Sequence, residues 1–149
     1  MKIFAQNKKV FFEYEIEDTF EAGIVLNGNE VKSIRNNQIN LTASYVLFSD
    51  NEFFLINCKI SKYKNSFKDN SEKEDRNKKL LLNRKEIEKL SGKVSRKGVT
   101  ILPLKVYENE KGYIKILIGV GKHKKLHDKK QELKEKDLDR EAKREIRGK

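Results

Sequence analysis

Apolar residues alternate with glutamate near the start of the chain, where residues 12–17 read FEYEIE. A period of two is typical of a strand with one buried face, so we predict that these apolar positions point to a core. After Asp18 and Thr19 the apolar signal resumes over residues 20–26. The pattern therefore predicts a bend or a second strand at that point.

A short helix is predicted where the sequence reads NGNEVKSIRNN, at positions 27–37. Asn27 or Asn29 can cap its first turn, because a short polar side chain accepts hydrogen bonds from the free backbone amides there. Val31 and Ile34 are three positions apart and lie on one face of such a helix. The two asparagines at the end of the stretch mark its C-terminus.

Two strands are predicted over residues 44–49 and 52–60, which read SYVLFS and EFFLINCKI. Asp50 and Asn51 separate them, and both side chains tolerate the positive φ that a two-residue turn requires. This is the clearest hairpin signal in the sequence.

Residues 61–79 contain only Tyr63 and Phe67 as large apolar residues, and this composition predicts an exposed, mobile loop. The next residues, 80–94, show a helical apolar stripe. Gly92 is suited to the C-terminal cap of that helix.

A second hairpin is predicted over residues 99–121, with ENEKG at 108–112 as its turn and Pro103 at a sheet edge or bulge. The chain is therefore mainly β with short helices. About six strands with short connections favour a closed barrel, since closure removes exposed sheet edges. We predict an OB-like, six-stranded antiparallel barrel over residues 1–121, followed by a basic tail over residues 122–149.

The charge balance points to a polyanionic partner. Lysine and arginine number 34 against 23 acidic residues, giving a formal charge of +11. Nucleic acid and an anionic membrane surface both fit this charge. We expect a soluble, cytoplasmic protein, because no run of 18 apolar residues is present and the first residues lack the pattern of a signal peptide. The single cysteine, Cys58, lies in an apolar run, where a buried and unreactive side chain is expected.

The tail carries much of the excess charge. Residues 122–149 hold 12 basic and 7 acidic residues, and five of the lysines fall within residues 122–130. Its apolar residues form too thin a stripe to hold a helix against the barrel, so we predict a tail that is disordered alone and helical when bound. Lysines next to a rigid barrel suit phosphate binding. The alternative is a solvated appendage that aids solubility.

Several motifs occur together: FEAGIVLNGNEVKSIR with INLTASYV, then KKLLLNRKEIEKLSGKV, then IGVGKHKKLHDKK followed by KEKDLDREAKREI. In this order they closely resemble the small protein B family, the SsrA-binding proteins that act with transfer-messenger RNA. The resemblance implies an OB-type barrel that binds the tRNA-like domain of that RNA and delivers it to stalled ribosomes for trans-translation. It also implies a tail that probes the empty mRNA channel near the decoding centre of the small subunit.

The resemblance assigns a set of residues to the surface that meets the tRNA-like domain. The members carried over from the family's motifs are Asn7, Tyr14, Glu21, Leu81 and Asn83. Arg76, Lys78 and Lys79 join this RNA-binding set for their charge, because the loop near residues 68–78 departs from the family's pattern and lacks its Asp-Pro step. A carboxylate can accept hydrogen bonds from a guanine edge, asparagine can donate and accept, and a tyrosine ring can stack on an unpaired base. For Tyr14 and Leu81, packing within the protein is the alternative.

A second set is assigned by the same resemblance to contacts with ribosomal RNA through the tail. Its members are Lys122, Lys124, Lys125, His127, Lys129, Lys130, Arg140, Lys143 and Arg144. The sequence departs from the family pattern at Lys130, where the pattern has arginine, and at His123, where it has glycine. Lysine keeps the charge of arginine but lacks its planar fork.

Three other classes of function are alternatives for this sequence. An enzyme is disfavoured, because His123 and His127 with the adjacent Asp128 are too few ligands for a zinc site and no other cluster supports catalysis. A generic RNA-binding or ribosome-associated protein with the same barrel has the same composition, and only the motif set favours rescue. A membrane-surface role is disfavoured, because the tail has no tryptophan or phenylalanine to insert. We expect no cofactor, no metal and a monomer when free.

Overall fold

A computed structural model describes residues 2–61 and 76–124. In chain order they form β1 (Lys2–Gln6), α1 (Lys8–Glu13), β2 (Tyr14–Ile24), α2 (Gly28–Arg35), β3 (Ile39–Asn40), β4 (Tyr45–Ser49), β5 (Glu52–Ile56), β6 (Lys59–Ile60), β7 (Lys78–Leu81), α3 (Arg84–Val94), β8 (Val99–Glu108) and β9 (Ile114–His123). The predictions made for residues 62–75 and for the tail beyond Lys124 lie outside the described residues.

Six strands form a closed antiparallel ring. Each pairs with the next in the order β8, β4, β5, β7, β2, β9, and β9 pairs back with β8. β1 pairs with the second half of β8 and lies beside the ring, and β3 pairs with β6 in a separate small sheet. The ring confirms the predicted OB-like, six-stranded barrel, in which closure satisfies the backbone groups of what would otherwise be edge strands.

A long ladder joins β2 to β9. It places Tyr14 opposite His123 at one end and Gly23 opposite Lys115 at the other. A strand advances roughly 3.3 Å per residue, so roughly 30 Å of strand separates these two ends. We call the first the tail end of β2, because the chain leaves β9 there, and the second the β7 end, because Gly23 also pairs with Leu81 of β7.

The main core fills the barrel with aliphatic side chains from every strand of the ring. Helices α2 and α3 add Ile34 and Leu90, which are completely buried. A smaller cluster joins Val10 of α1 to Leu102 and Leu104 of β8. Since Ile101 belongs to the main core and successive strand residues point to opposite faces, α1 packs on the outside of the barrel.

The prediction for the first strand is partly wrong. Phe12 lies in α1, and β2 begins only at Tyr14. β2 then continues as one strand to Ile24, so no second strand begins there, but a bulge between Ile16 and Asp18 bends it close to the predicted position. The alternation of apolar residues and glutamate predicts β2 correctly from Tyr14 onward. The same alternation also covers Phe12 and Glu13, which belong to α1, where burial of Val10 against β8 favours a helix.

Both longer helices begin with an asparagine capping box. Asn27 Oδ1 accepts from the Glu30 amide at 2.8 Å, and the Glu30 carboxylate accepts from the Asn27 amide at 3.0 Å. Asn83 and Glu86 repeat the arrangement in α3. The predicted cap of α2 is therefore confirmed.

The bounds predicted for the second helix need correction at both ends. α3 begins at Arg84, after its Asn83 cap, and it runs through Gly92 to Val94, with Ser95 at the C-cap. Gly92 therefore lies inside the helix. The residues before it form β7, which pairs with β5 and β2. The sequence analysis placed a loop and the start of a helix here instead of a strand. The partners of β7, which are β2 and β5, are distant in the sequence, so no local pattern indicates the pairing.

Both predicted hairpin turns are confirmed, but the strand predicted over residues 52–60 ends at Ile56, and Lys59–Ile60 form β6, which pairs with β3. Asp50 and Asn51 have φ values of 50° and 61°, as a two-residue turn between β4 and β5 requires. Gly112 has a φ of 84° in the turn between β8 and β9. The β8 to β9 register shifts between Pro103 and Lys105, so the proline lies at a bulge.

Candidate nucleic-acid interface

Glu21 projects outward from β2 between the buried residues Phe20 and Ala22. Its carboxylate accepts a hydrogen bond from the hydroxyl of Tyr107 on β8. Tyr107 is only 4% exposed. Burial, together with the adjacent Glu21 carboxylate, raises the pKa of the Tyr107 hydroxyl above its ordinary value. The carboxylate is thus held in place by a donor that the sequence analysis did not identify.

Two lysines lie on the same outer surface as Glu21. Leu117 of β9 is opposite Glu21, and Lys105 of β8 is opposite Leu117. In the next row, Lys115 is opposite both Gly23 and Tyr107. Strand pairing alone brings these residues together.

Leu81 of β7 lies beside this surface and is 53% exposed. It is opposite Gly23, and a Cβ on Gly23 would come within 3.2 Å of the Leu81 Cβ. The absence of a side chain at Gly23 therefore lets Leu81 approach β2 closely. The large exposed fraction of Leu81 does not agree with the alternative prediction that Leu81 only packs within the protein.

Asn83 follows β7 and caps α3, since its Oδ1 accepts from the Glu86 amide at 2.9 Å. The Nδ2 amide of Asn83 takes no part in this cap and can donate to a ligand. The structure brings three of the predicted residues, Glu21, Leu81 and Asn83, to the region of β2, β7 and the start of α3.

The three predicted cations before Leu81 have different environments. Lys78 is 0% exposed, and its Nζ donates to the carbonyl oxygens of Cys58 at 3.2 Å and Arg76 at 2.6 Å. Its Nζ also lies 3.9 Å from a carboxylate oxygen of Glu30. A buried ammonium cannot reach a phosphate on the surface, so the predicted RNA contact of Lys78 is wrong for this conformation.

Arg76 is held by the same acid. Its Nη2 donates to Glu30 Oε1 at 2.5 Å and to the carbonyl oxygen of Val25 at 3.4 Å. Lys79 is on the exposed side of β7 and forms an ion pair with Glu52 at 2.9 Å. Of the three cations, Lys79 has the surface position that a phosphate contact needs.

Asn7 and Tyr14 lie away from this group. Asn7 is buried, and its Nδ2 donates to the carbonyl oxygens of Leu41 at 3.5 Å and Pro103 at 3.4 Å. This position does not agree with its predicted place on a surface that faces RNA. Tyr14 is at the tail end of β2 and is half-buried against the cluster of Val10. The predicted single face is therefore divided between two ends of the barrel.

The tail end of β2 anchors the first residues of the tail. The Tyr14 and His123 rings meet edge to face with centroids 4.9 Å apart. The Lys124 amide donates to the carbonyl oxygen of Glu13 at 2.8 Å, and Lys122 Nζ lies 3.6 Å from Glu17. The other predicted tail residues lie outside the described residues; they are Lys125, His127, Lys129, Lys130, Arg140, Lys143 and Arg144.

The sequence analysis missed Tyr107, Lys105, Lys115 and Glu30. One signal was available for Tyr107: a tyrosine within an apolar strand needs a hydrogen-bond partner for its hydroxyl when it is buried. The positions of the lysines and of Glu30 depend on pairing between distant segments. No local pattern indicates them.

Cys58 is buried, as expected. Burial raises the pKa of its thiol to about 11, while the nearby Lys78 ammonium acts in the opposite direction. Over residues 2–61 and 76–124, no cluster of three or more His, Cys, Asp or Glu side chains is placed to hold a metal ion. Within the same ranges, no helix has the length and apolar character needed to cross a membrane.

Comparisons with known proteins give consistent matches over the chain. The family model described as SmpB protein matches residues 4–148. An SsrA-binding protein of Nitrobacter hamburgensis is 47% identical over 148 residues, covering 99% of this chain and 94% of the relative. An SsrA-binding protein of Acholeplasma laidlawii is 48% identical over 149 residues, covering 100% of this chain and 99% of the relative.

A solved structure described as "tmRNA-SmpB: a journey to the center of the bacterial ribosome" is also similar. It is 43% identical, with a TM-score of 0.67, and the match covers 82% of this chain and 85% of that chain. The resemblance inferred from the motifs is therefore confirmed. Because the family model and both relatives match nearly the full length, this chain belongs to the SmpB family.

Proposed function

We propose that this protein binds transfer-messenger RNA and acts with it on the ribosome in trans-translation, which rescues stalled ribosomes and tags the nascent peptide. The observation that carries the proposal is the match over nearly the whole chain to proteins named SsrA-binding protein. The similar structure that names tmRNA, SmpB and the ribosome supports the same role. The protein acts by binding, and its residues are assigned no bond-breaking step.

The surface at the β7 end of β2 is the site for the tRNA-like domain. Glu21 accepts hydrogen bonds from a base amino group, and the Tyr107 hydroxyl keeps its carboxylate in position. Lys105 and Lys115, which flank Glu21 through the strand pairing, bind phosphates. Their charge explains how an acid can belong to a surface that binds a polyanion.

Leu81, Lys79 and Asn83 complete this site. Leu81 offers an exposed apolar surface to an unstacked base or ribose, and Lys79 supplies a phosphate contact next to it. The Nδ2 amide of Asn83 donates to the RNA, while its Oδ1 caps α3. Arg76 and Lys78 do not contact the RNA themselves. Glu30 binds Arg76 and lies close to the Lys78 ammonium, and these interactions support the start of β7.

Two units carry out the function. The RNA-binding barrel, predicted over residues 1–121, extends to the end of β9 at His123. The rest of the predicted basic tail, up to residue 149, becomes helical in the empty mRNA channel of the small subunit. The protein is cytoplasmic, because its ribosomal partner is, and it is a monomer before it binds RNA. The described part of the tail leaves the barrel at the end opposite the β7 end. One end can then hold transfer-messenger RNA while the other faces the ribosome.

Electrophoretic binding to transfer-messenger RNA, with bulk RNA as competitor, tests the proposal. Glu21→Ala should weaken binding about tenfold or more, because hydrogen bonds to a charged group are lost. Glu110→Ala, at an exposed glutamate in the turn between β8 and β9, is the control and should bind like the wild-type chain. Unchanged affinity of Glu21→Ala would remove Glu21 from the site.

Truncation separates the two units. The shortened chain should end at Lys124, because β9 continues to His123 and the Lys124 amide bonds to Glu13. It should keep near-normal affinity for transfer-messenger RNA and lose tagging on stalled ribosomes. A generic RNA-binding protein is the alternative function. It would show no preference for transfer-messenger RNA over bulk RNA in the competition.

A further inference from the structure

Helix α1 carries its charges at the ends where they oppose its dipole. The helix has six residues, with Lys8 and Lys9 at its start and Glu13 as its last residue. Anions stabilise the N-terminus of a helix and cations its C-terminus. The first turn of α1 contains no acid, and its last turn contains no base. A helix this short, with this order of charges, depends on contacts from other parts of the chain.

Two contacts hold the beginning and the middle of α1. Asn7 precedes the helix, and its backbone amide donates to the carbonyl oxygen of Leu104 at 2.8 Å. Val10 is buried with Leu102 and Leu104 on the outside of β8. Neither contact reaches the carbonyl groups at the C-terminal end of the helix.

Lys124 supplies the contact at that end. The last carbonyl groups of a helix have no partner within the helix itself. Here the Lys124 amide donates to the carbonyl oxygen of Glu13 at 2.8 Å, and Lys124 Nζ donates to the carbonyl oxygen of Phe11 at 3.1 Å. One residue therefore caps two carbonyl groups and places a positive charge at the negative end of the helix dipole.

Lys124 is also the residue at which the chain leaves the barrel. The β2 to β9 ladder ends with Tyr14 opposite His123, and the bond from Lys124 to Glu13 extends this pairing by one residue. The rings of Tyr14 and His123 meet edge to face. His123 Nδ1 lies 3.0 Å from the Lys124 carbonyl oxygen, a hydrogen bond when Nδ1 carries the proton. The amide and the ammonium group of Lys124 are thus both held by α1, and its carbonyl group lies against His123.

Lys122, two residues earlier, is bound in a different way. Its Nζ lies 3.6 Å from Glu17, and both side chains are partly exposed. An exposed ion pair of this kind is weak, so the ammonium group can exchange its partner for a phosphate. Lys124 is half-buried, and its departure would leave helix carbonyl groups without their donors. The two lysines are therefore suited to different roles.

We propose that Lys124 is a positioning residue, which binds the C-terminal end of α1 and so sets the place and direction in which the tail leaves the barrel, without contacting ribosomal RNA. The resemblance alone had assigned Lys124 to the contacts with ribosomal RNA. A fixed starting point leaves less conformational freedom to be lost when the tail enters the mRNA channel. The proposal rests on the proposed function, because it concerns how the tail reaches that channel.

Variants of the full-length chain separate positioning from contact with RNA. Lys124→Met keeps the aliphatic stem and removes the ammonium group, whereas Lys124→Arg retains a cationic donor. Lys111→Met is the matched control, because it removes one exposed lysine in the turn between β8 and β9. Four quantities are measured: the affinity for transfer-messenger RNA, tagging on stalled ribosomes, the salt dependence of binding to isolated small ribosomal subunits, and the hydrogen-exchange rate of the residue 124 amide by NMR.

Lys124→Met should keep the wild-type affinity for transfer-messenger RNA and an unchanged salt slope on small subunits, because no phosphate contact is lost. Tagging should fall about fivefold, and the residue 124 amide should exchange about fivefold faster, since about one hydrogen bond of ordinary strength is lost. Lys124→Arg should restore tagging and the exchange rate. Lys111→Met should match the wild type in all four measurements.

Three outcomes would overturn the positioning role. A salt slope smaller by about one phosphate, roughly 0.7 to 0.9, in Lys124→Met would make Lys124 a contact with RNA. Wild-type tagging by Lys124→Met, or an unchanged exchange rate of its residue 124 amide, would mean that the bonds to α1 do not direct the tail. Each of these results leaves the proposed function intact. Failure of the wild-type chain to prefer transfer-messenger RNA over bulk RNA would instead contradict the proposed function itself.

Discussion

The hydroxyl of Tyr107 donates a hydrogen bond to the carboxylate of Glu21 across the outer surface of β2 and β8. Burial raises the pKa of the Tyr107 hydroxyl, and the adjacent Glu21 carboxylate raises this pKa further. The bond orients the Glu21 carboxylate on a surface where Lys105 and Lys115 flank it. It also makes the Glu21 side chain sensitive to a residue 86 positions away in the sequence.

This bond has a pH signature. The raised pKa favours the neutral phenol in the folded state, so its contribution to stability is complete below about pH 10 and is lost at higher pH. In a spectrophotometric titration, one of the five tyrosines should ionise later than the exposed ones. Tyr107→Phe should remove that late fraction.

The same variant tests whether orientation of Glu21 matters for RNA binding. Tyr107→Phe should lower the free energy of unfolding by about 1 kcal/mol. It should also weaken transfer-messenger RNA binding several-fold, because the carboxylate is no longer held in place. Tyr113→Phe, at an exposed tyrosine, is the control. An RNA affinity equal to wild type in Tyr107→Phe would mean that the bond stabilises the barrel only.

The neighbours Lys78 and Lys79 should respond in opposite ways to the same substitution. Lys78→Met removes a buried ammonium that bonds to two carbonyl oxygens, and it should lower the free energy of unfolding by about 3 kcal/mol in urea denaturation. Lys79→Met breaks only an exposed ion pair with Glu52 and should cost less than about 1 kcal/mol.

Their effects on RNA binding should be reversed. With the protein kept folded, Lys78→Met should leave the salt dependence of transfer-messenger RNA binding unchanged. Lys79→Met should reduce its slope by about one phosphate. A smaller slope for Lys78→Met would restore the original prediction that Lys78 touches RNA.

Asn83 has two roles that serine can separate. Asn83→Ser keeps a side-chain oxygen to cap α3 but removes the Nδ2 amide assigned to RNA, so stability should change by less than about 1 kcal/mol. RNA affinity should fall several-fold. Asn27→Ser changes the equivalent cap of α2 and serves as the matched variant. Equal RNA affinities for the two serine variants would limit Asn83 to capping.

Cys58 should react with thiol reagents only when the protein unfolds. Burial raises the pKa of its thiol to about 11, against an ordinary value of 9.0, so the thiolate is disfavoured in the folded state. The stability linked to the neutral thiol is complete below pH 9 and is lost as the pH rises towards 11. Labelling at pH 8 should be slow in buffer and rapid in urea. Rapid labelling in buffer would mean that the strands around Cys58 open easily.

Elements that depend on neighbouring residues were predicted correctly, whereas an element that depends on pairing between distant strands was not. The turn at Asp50 and Asn51 and the cap at Asn27 were predicted correctly. Each depends on residues within about four positions of one another. β7 was missed, because its partners β2 and β5 are distant in the sequence and its own residues resemble a helix start.

The candidate site shows the same division. The motifs identified the family and the residues Glu21, Leu81 and Asn83, which the fold brings to one region. They also grouped Tyr14 with these residues, although the β2 to β9 ladder places it at the other end of the barrel. The burial of Lys78 followed from no local pattern, since a lysine in a polar stretch is ordinarily exposed.

The sequence by itself determined the family, the excess of positive charge, the hairpin turns and the cap of α2, because turn conformations, capping and alternation depend on neighbouring residues. Only the tertiary structure decided which lysine is buried, which tyrosine holds Glu21 and which predicted contacts share a surface. Those relationships arise when the ring closes, since pairing of distant strands sets both the distance between side chains and their access to solvent.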